Sequence, residues 1–195
     1  MRVVAVLGSP RPRSSSSALA QHFLDVAGQA GAETNSFVLN DLKYIGCQGC
    51  YGCKRRSETC VIKDDLTQVL AAVEQCDVLV MATPIYIHDV TGQIKCFIDR
   101  AFSYLTPEFH NPGARASRLA PGKKMLFLIT QGQPEAVAYT GSYTGVPERY
   151  EAFFKNLGFV CQHIVAPGVA LQEQLGETRP QLLEQIGKLA KQMCG

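Results

Sequence analysis

The chain of 195 residues has no tryptophan and no apolar run that approaches a membrane span. Its N-terminal apolar run, Val3 to Leu7, stops at Gly8-Ser9-Pro10, too early and too short for the core of an export signal. The expected location is therefore the cytoplasm, with no membrane partner. Charge of one sign is scarce as well: the formal net charge is +2, and the basic residues near Arg11, Lys54 and Lys123 form local clusters. Without a basic face, there is no electrostatic case for a nucleic-acid partner. Repeats, low-complexity tracts and linkers are missing, so residues 1–195 read as one domain. The three-glycine dinucleotide fingerprint is missing too, because no further glycines follow Gly8 at the required offsets.

Cysteine, by contrast, is plentiful. Of eight cysteines, Cys47, Cys50, Cys53 and Cys60 fall within fourteen residues in the pattern C-x2-C-x2-C-x6-C. Two-residue gaps let successive sulfurs face a common volume, and Gly49 and Gly52 are expected to ease the turns by taking positive φ. Three thiols at short gaps suit an iron-sulfur cluster better than a zinc ribbon, which pairs two separated knuckles. Zinc, a redox-sensing thiol set activated by Lys54, Arg55 and Arg56, and plain unliganded thiols remain the other readings. Cys76, Cys96, Cys161 and Cys194 fall in helical or strand patterns or at the terminus, and read as incidental thiols.

The rest of the chain alternates strand and helix patterns. Strands are predicted at 2–7, 33–39, 77–82, 124–130 and 159–165, and helices at 18–30, from Asp64, 93–104, 147–157 and 179–194. Such alternation predicts an α/β fold: three layers, with a five-stranded parallel sheet between helices. The cysteine loop, 44–62, follows the second strand directly, which is expected to put it on the carboxyl edge of the sheet. A long Pro- and Gly-containing loop at 106–121 reads as a lid or an oligomer contact.

Three loops carry chemistry. Gly8 to Ser17 ends the first strand and enters a helix, so backbone N–H groups, a row of hydroxyls and Arg11 suit a phosphate monoester; an ordinary capped turn is the simpler alternative. Thr83-Pro84-Ile85-Tyr86 follows the third strand, where a ligand crevice forms in open α/β sheets, and its proline and aromatic can flank a planar ring. Thr130-Gln131-Gly132 ends the fourth strand and can offer backbone groups to the edge of that ring. His88 reads as a solvated loop histidine.

Gly8-Ser9-Pro10-Arg11, Cys60-Val-Ile-Lys-Asp64-Asp65, Thr83-Pro84-Ile85-Tyr86 and Lys95-Cys-Phe-Ile-Asp99-Arg100, in this order, resemble the NAD(P)H-dependent FMN reductase group of flavodoxin-like proteins. The compact cysteines narrow the resemblance to its iron-sulfur flavoprotein branch. The resemblance implies a flavodoxin-like sheet of order 2-1-3-4-5 and an electron-transfer oxidoreductase with FMN and a [4Fe-4S] cluster. It implies that Ser9, Arg11, Ser14, Ser15 and Ser16 serve the phosphate, where the family commonly has Asn and Thr near Ser15 and Ser16. It further implies that Pro84, Ile85 and Tyr86 line the ring, with Thr130 and Gly132 at its edge. Cys47, Cys50, Cys53 and Cys60 would hold the cluster, and no side chain is assigned as acid or base. NAD(P)H or ferredoxin is the implied donor, a small molecule or protein the acceptor, and a homodimer or homotetramer the assembly. A cluster-free NAD(P)H-dependent FMN or quinone reductase, and a zinc-binding or thiol-sensing module, are the alternatives.

Overall fold

The computed structural model describes residues 1–133, 145–169, 175 and 179–195. Five parallel strands, β1 (Arg2–Leu7), β2 (Glu33–Val38), β3 (Val78–Pro84), β4 (Lys124–Thr130) and β5 (Val160–Ala166), pair in the order β2-β1-β3-β4-β5. This is the flavodoxin-like order. Alternation within β1 sends Val3, Ala5 and Leu7 into one hydrophobic layer and Val4 and Val6 into the other. Helices α1 (Ser15–Gln29) and α6 (Pro180–Cys194) cover the first layer. Helices α3 (Leu66–Gln75), α4 (Gly92–Arg100) and α5 (Val146–Asn156) cover the second. A single turn, α2 (Gly52–Arg55), lies inside the cysteine segment.

Differences from the predicted elements have local causes. The serine-rich loop is already helix: Ser14 is the N-cap of α1, its Oγ accepting the Ser17 N–H at 3.1 Å. Strand β3 runs on to Pro84, which needs no N–H at the last position of a strand. The predicted helix 93–104 tightens after Arg100 into the 3₁₀ turn Ala101–Tyr104. The stretch 106–121 folds back on itself through a bridge between Leu105 and Ser117 and through the Thr106 N–H to Ala116 O bond of 2.9 Å.

On the outer strand β5, His163 Nδ1 and Lys155 Nζ each stand 2.8 Å from the buried Glu151 carboxylate. Burial works to raise the Glu151 pKa, but Lys155 and His163 outweigh it and hold the carboxyl below its usual value. A depressed carboxyl pKa adds stability above the unfolded value of about 4.3 and loses it as pH falls through the folded value. Glu151→Gln should therefore cost about 1 kcal/mol at pH 7, the usual worth of one hydrogen bond. Urea melts of the two proteins should converge once the pH drops below the folded carboxyl's range; a deficit independent of pH would contradict this.

Candidate functional site

The phosphate loop is built from buried hydroxyls. Ser9, Ser14, Ser15 and Ser16 are all at most 2% exposed, and Ser9 Oγ accepts the Arg11 N–H at 3.2 Å. Arg11 itself lies at the surface. Ser14 Oγ bonds Ser17 Oγ at 2.8 Å and lies 3.3 Å from Ser16 Oγ, whereas Ser15 Oγ is buried with no partner. A hydroxyl left unmet at a helix N-terminus, beside backbone N–H groups, is what an incoming phosphate would satisfy. Gly8 must lack a side chain, since a Cβ there would lie 2.0 Å from Ile94 Cγ1. The loop is tied to α4 by Thr91, whose Oγ1 donates to Gly8 O at 2.7 Å while capping the Ile94 N–H at 3.4 Å.

The ring loop starts where β3 ends, with Pro84 buried opposite Thr130 and the Ile85 N–H donating to Thr130 O at 2.8 Å. The second and third predicted loops are thus stitched together. Tyr86 is 41% exposed and exchanges backbone bonds with Asp89 at 2.8 and 3.2 Å across Ile87 and His88, which have φ of 46° and 65°. A β-branched residue in the left-handed region is strained by about 1–3 kcal/mol, and such strain clusters at ligand clamps. Asp89 holds the turn in place by accepting from Tyr150 Oη at 2.9 Å and from Val90 N at 2.7 Å. On the third loop Thr130 is buried and Gly132 exposed. Gln131 between them is 6% exposed with its Nε2 unpartnered. Sequence reasoning did not single out Gln131, because nothing in its neighbours announces a buried amide.

The cysteine segment is anchored elsewhere. Asp64 Oδ2 accepts the Ile45 N–H at 3.2 Å, Asp64 Oδ1 accepts the Leu66 N–H at 3.1 Å, and the Arg100 guanidinium grips the same carboxylate at 2.8 and 3.1 Å. Arg100 also donates to Ile45 O at 3.0 Å and Ile62 O at 3.1 Å, so one side chain joins the two ends of the cysteine loop. Lys54 Nζ, on α2, donates to Phe102 O at 2.6 Å and Leu105 O at 2.7 Å, and Arg118 Nη2 donates to Cys53 O at 2.9 Å. Burial lowers the Lys54 pKa, against the opposing pull of Cys53. Gly49 takes positive φ as expected, but Gly52 does not: Tyr51 does, at 57°, and Gly52 is needed because a Cβ would meet Val61 at 2.7 Å.

All four segment thiols are free, with Cys53 buried, Cys60 half-buried, and Cys47 and Cys50 exposed. Among the described residues no three His, Cys, Asp or Glu side chains are placed to hold a metal ion, so the structure does not gather the four sulfurs. In kind and number they suit an iron-sulfur centre. The segment leaves the carboxyl end of β2 but runs along α4, with Gly46 beside Cys96, to the far end of that helix at Arg100. The expected place on the carboxyl edge is corrected accordingly. The phosphate loop and the thiol anchor stand at opposite ends of α4, nine residues or about 13 Å apart along its axis. Outside the segment, burial pushes the Cys76 thiol up to about 11 and Cys161 to about 12, which leaves both unreactive.

A doubly wound sheet of this order, with an unmet hydroxyl at its first helix and a strained loop after its third strand, defines a flavodoxin-like α/β protein. The sequence matches the family NADPH-dependent FMN reductase over residues 1–144, and the chain belongs to that family. Within it the chain is similar to proteins named iron-sulfur flavoprotein. One from Archaeoglobus fulgidus is 32% identical over 71% of this chain and 59% of its own length. Another, from Methanocaldococcus jannaschii, is 32% identical over 52% of each chain. The chain thus spans little more than half the length of the curated relatives it matches. In fold it is similar to an NAD(P)H:quinone oxidoreductase from Methanothermobacter marburgensis, with TM-score 0.71 and 16% identity over 99% of this chain and 96% of that one. An FMN-dependent NADH-azoreductase from Bacillus anthracis, in complex with FMN, has TM-score 0.73 and 15% identity over the whole of both chains.

Ser15→Ala tests the phosphate loop. Losing one hydrogen bond to a charged group should weaken FMN about tenfold or more, and leave riboflavin, which has no phosphate, unchanged. Fluorescence titration of apoprotein with both flavins measures the difference; equal losses for the two would contradict the assignment.

Proposed function

We propose that this protein is an FMN-dependent electron-transfer oxidoreductase of the cytoplasm that couples a flavin to a [4Fe-4S] cluster on Cys47, Cys50, Cys53 and Cys60. NAD(P)H or a reduced ferredoxin is the donor, and a small molecule or protein the acceptor. The observation that carries the reading is the thiol segment itself: four free cysteines within fourteen residues, on a loop pinned at its base by the buried Arg100 and at α2 by the half-buried Lys54. FMN would supply two-electron chemistry and the cluster one-electron steps, so that the pair converts one kind of transfer into the other.

Ser9, Ser14, Ser15 and Ser16 serve the phosphate at the N-terminus of α1, with Arg11 at its rim. Pro84, Ile85 and Tyr86 line the ring, and Thr130 and Gly132 stand at its edge, joined in this role by the Gln131 amide. The protein's task is binding and orientation; no side-chain acid or base is required. Because the two loops lie at opposite ends of α4, a homodimer or homotetramer that sets the α4 C-terminus of one copy beside the ring loop of another would shorten the path between centres. The folded-back stretch 106–121, next to the thiol anchor, is the candidate contact.

A second reading is a cluster-free NAD(P)H-dependent FMN or quinone reductase. It is favoured by the dispersed positions of the thiols and the exposure of Cys47 and Cys50. Anaerobic purification with visible spectra and iron, sulfide and zinc counts separates the readings. Flavin bands with broad thiolate-to-iron absorbance and about four irons per chain are expected. Flavin without iron would establish the reductase instead, and zinc a structural or thiol-sensing module.

A further inference from the structure

We infer that Tyr150 of α5, acting through Asp89, is the positioning residue of the ring loop, holding Tyr86 to Asp89 in a turn that the loop's own sequence disfavours; the inference rests on the reading of that loop as the flavin's ring site. Tyr86 and Asp89 face one another as an antiparallel bridge and exchange both backbone bonds, at 2.8 and 3.2 Å. Between them Ile87 and His88 stand at φ of 46° and 65°. Two central residues at positive φ make the tight turn that Asn-Gly favours and that a β-branched side chain resists. Ile87 gains nothing from burial in return, being 92% exposed. The turn is therefore held from outside.

Asp89 is where the hold is applied. Its Oδ1 accepts the Val90 N–H at 2.7 Å and the Tyr150 hydroxyl at 2.9 Å, and its Oδ2 lies 3.3 Å from Arg149 Nη1. The Val90 bond joins neighbours within the loop, and the Arg149 pair is solvent-exposed and contributes little. Tyr150 differs from both. Its ring is buried edge-on against Phe127 of β4, with centroids 6.2 Å apart, so its hydroxyl reaches Asp89 from a fixed point in the core. Burial, and after it Asp89, push the Tyr150 pKa up, so the hydroxyl stays protonated and remains a donor. A hydroxyl bonded to a carboxylate is charge-assisted, which makes this the strongest tie between the turn and the rest of the fold. The ring loop is thus set at both ends: by Ile85 N–H on Thr130 O where it starts, and by Tyr150 on Asp89 where it closes. Without the second tie the turn leaves the left-handed region, and Tyr86 is carried off the ring site.

The test titrates apoprotein with FMN and with riboflavin by fluorescence. Tyr150→Phe should weaken both flavins alike, about tenfold, because the ring loop serves the isoalloxazine that they share. Arg149→Ala should change either affinity by about twofold at most. Adding Ile87→Asn and His88→Gly, a pair that adopts the turn unaided, to Tyr150→Phe should restore both affinities to within about threefold of wild type. A residue that only packs the core is not rescued in this way. Unchanged affinity in Tyr150→Phe, a loss for FMN alone, or a loss that the added pair does not restore overturns the inference and leaves the ring-site reading standing. If Tyr150→Phe fails to fold, Asp89→Ala, at the half-buried end of the same bond, carries the decision by the same titrations and the same rescue. Wild-type apoprotein that binds neither flavin contradicts the ring-site reading, and the inference with it.

Discussion

The thiol half of the molecule depends on one buried ion pair. Arg100, 1% exposed, and Asp64 meet in a two-bond fork at the point where α4 ends and α3 begins, and the backbone on either side of the cysteine segment is bonded to the same two side chains. Partial burial works to raise the Asp64 pKa, but the Arg100 fork and two backbone N–H groups outweigh it and hold the carboxyl below its ordinary value. Such a pair adds little net stability over apolar packing, yet losing one partner leaves a buried charge at a cost of about 3–5 kcal/mol. It therefore acts mainly to set a position, and what it positions is a stretch of sixteen residues, 46–61, containing four cysteines.

Helix α4 then connects that anchor with the flavin side. Its N-cap, Thr91, bonds the carbonyl of Gly8 in the phosphate loop, and its last residue holds the thiol segment. Its inward face, Ile94, Phe97 and Ile98, is buried in the core, so the spacing between the two sites cannot relax without disturbing the sheet.

The sheet was legible in the sequence because its signals are local: apolar runs at Val3 and Val78, helical spacing at Leu66, Val69, Leu70 and Val73, and turn residues between them. The strand order followed from the resemblance and from the rule that parallel strands need crossovers. The phosphate loop was legible as serines after Gly8, although α1 starts earlier than its apolar pattern because serine hydroxyls cap the helix from within. Other features were not legible, for a common reason. Asp64 and Arg100 stood in quoted motifs, but their pairing joins residues 36 apart and leaves no periodicity. Gln131 announces itself only once burial is known. The path of the cysteine loop down α4 depends on that same long-range pair, and so the expectation of a shared carboxyl edge failed there.

The proposed function gives this chain two redox centres, one toward each end of α4, that exchange electrons. Anaerobic titration with NADPH, followed at once by flavin absorbance and by EPR of the reduced cluster, tests it most directly. The account predicts that flavin bleaching and the growth of the cluster signal occur within the same titration. Complete flavin bleaching with the cluster left oxidised, or with no iron signal to follow, would contradict it.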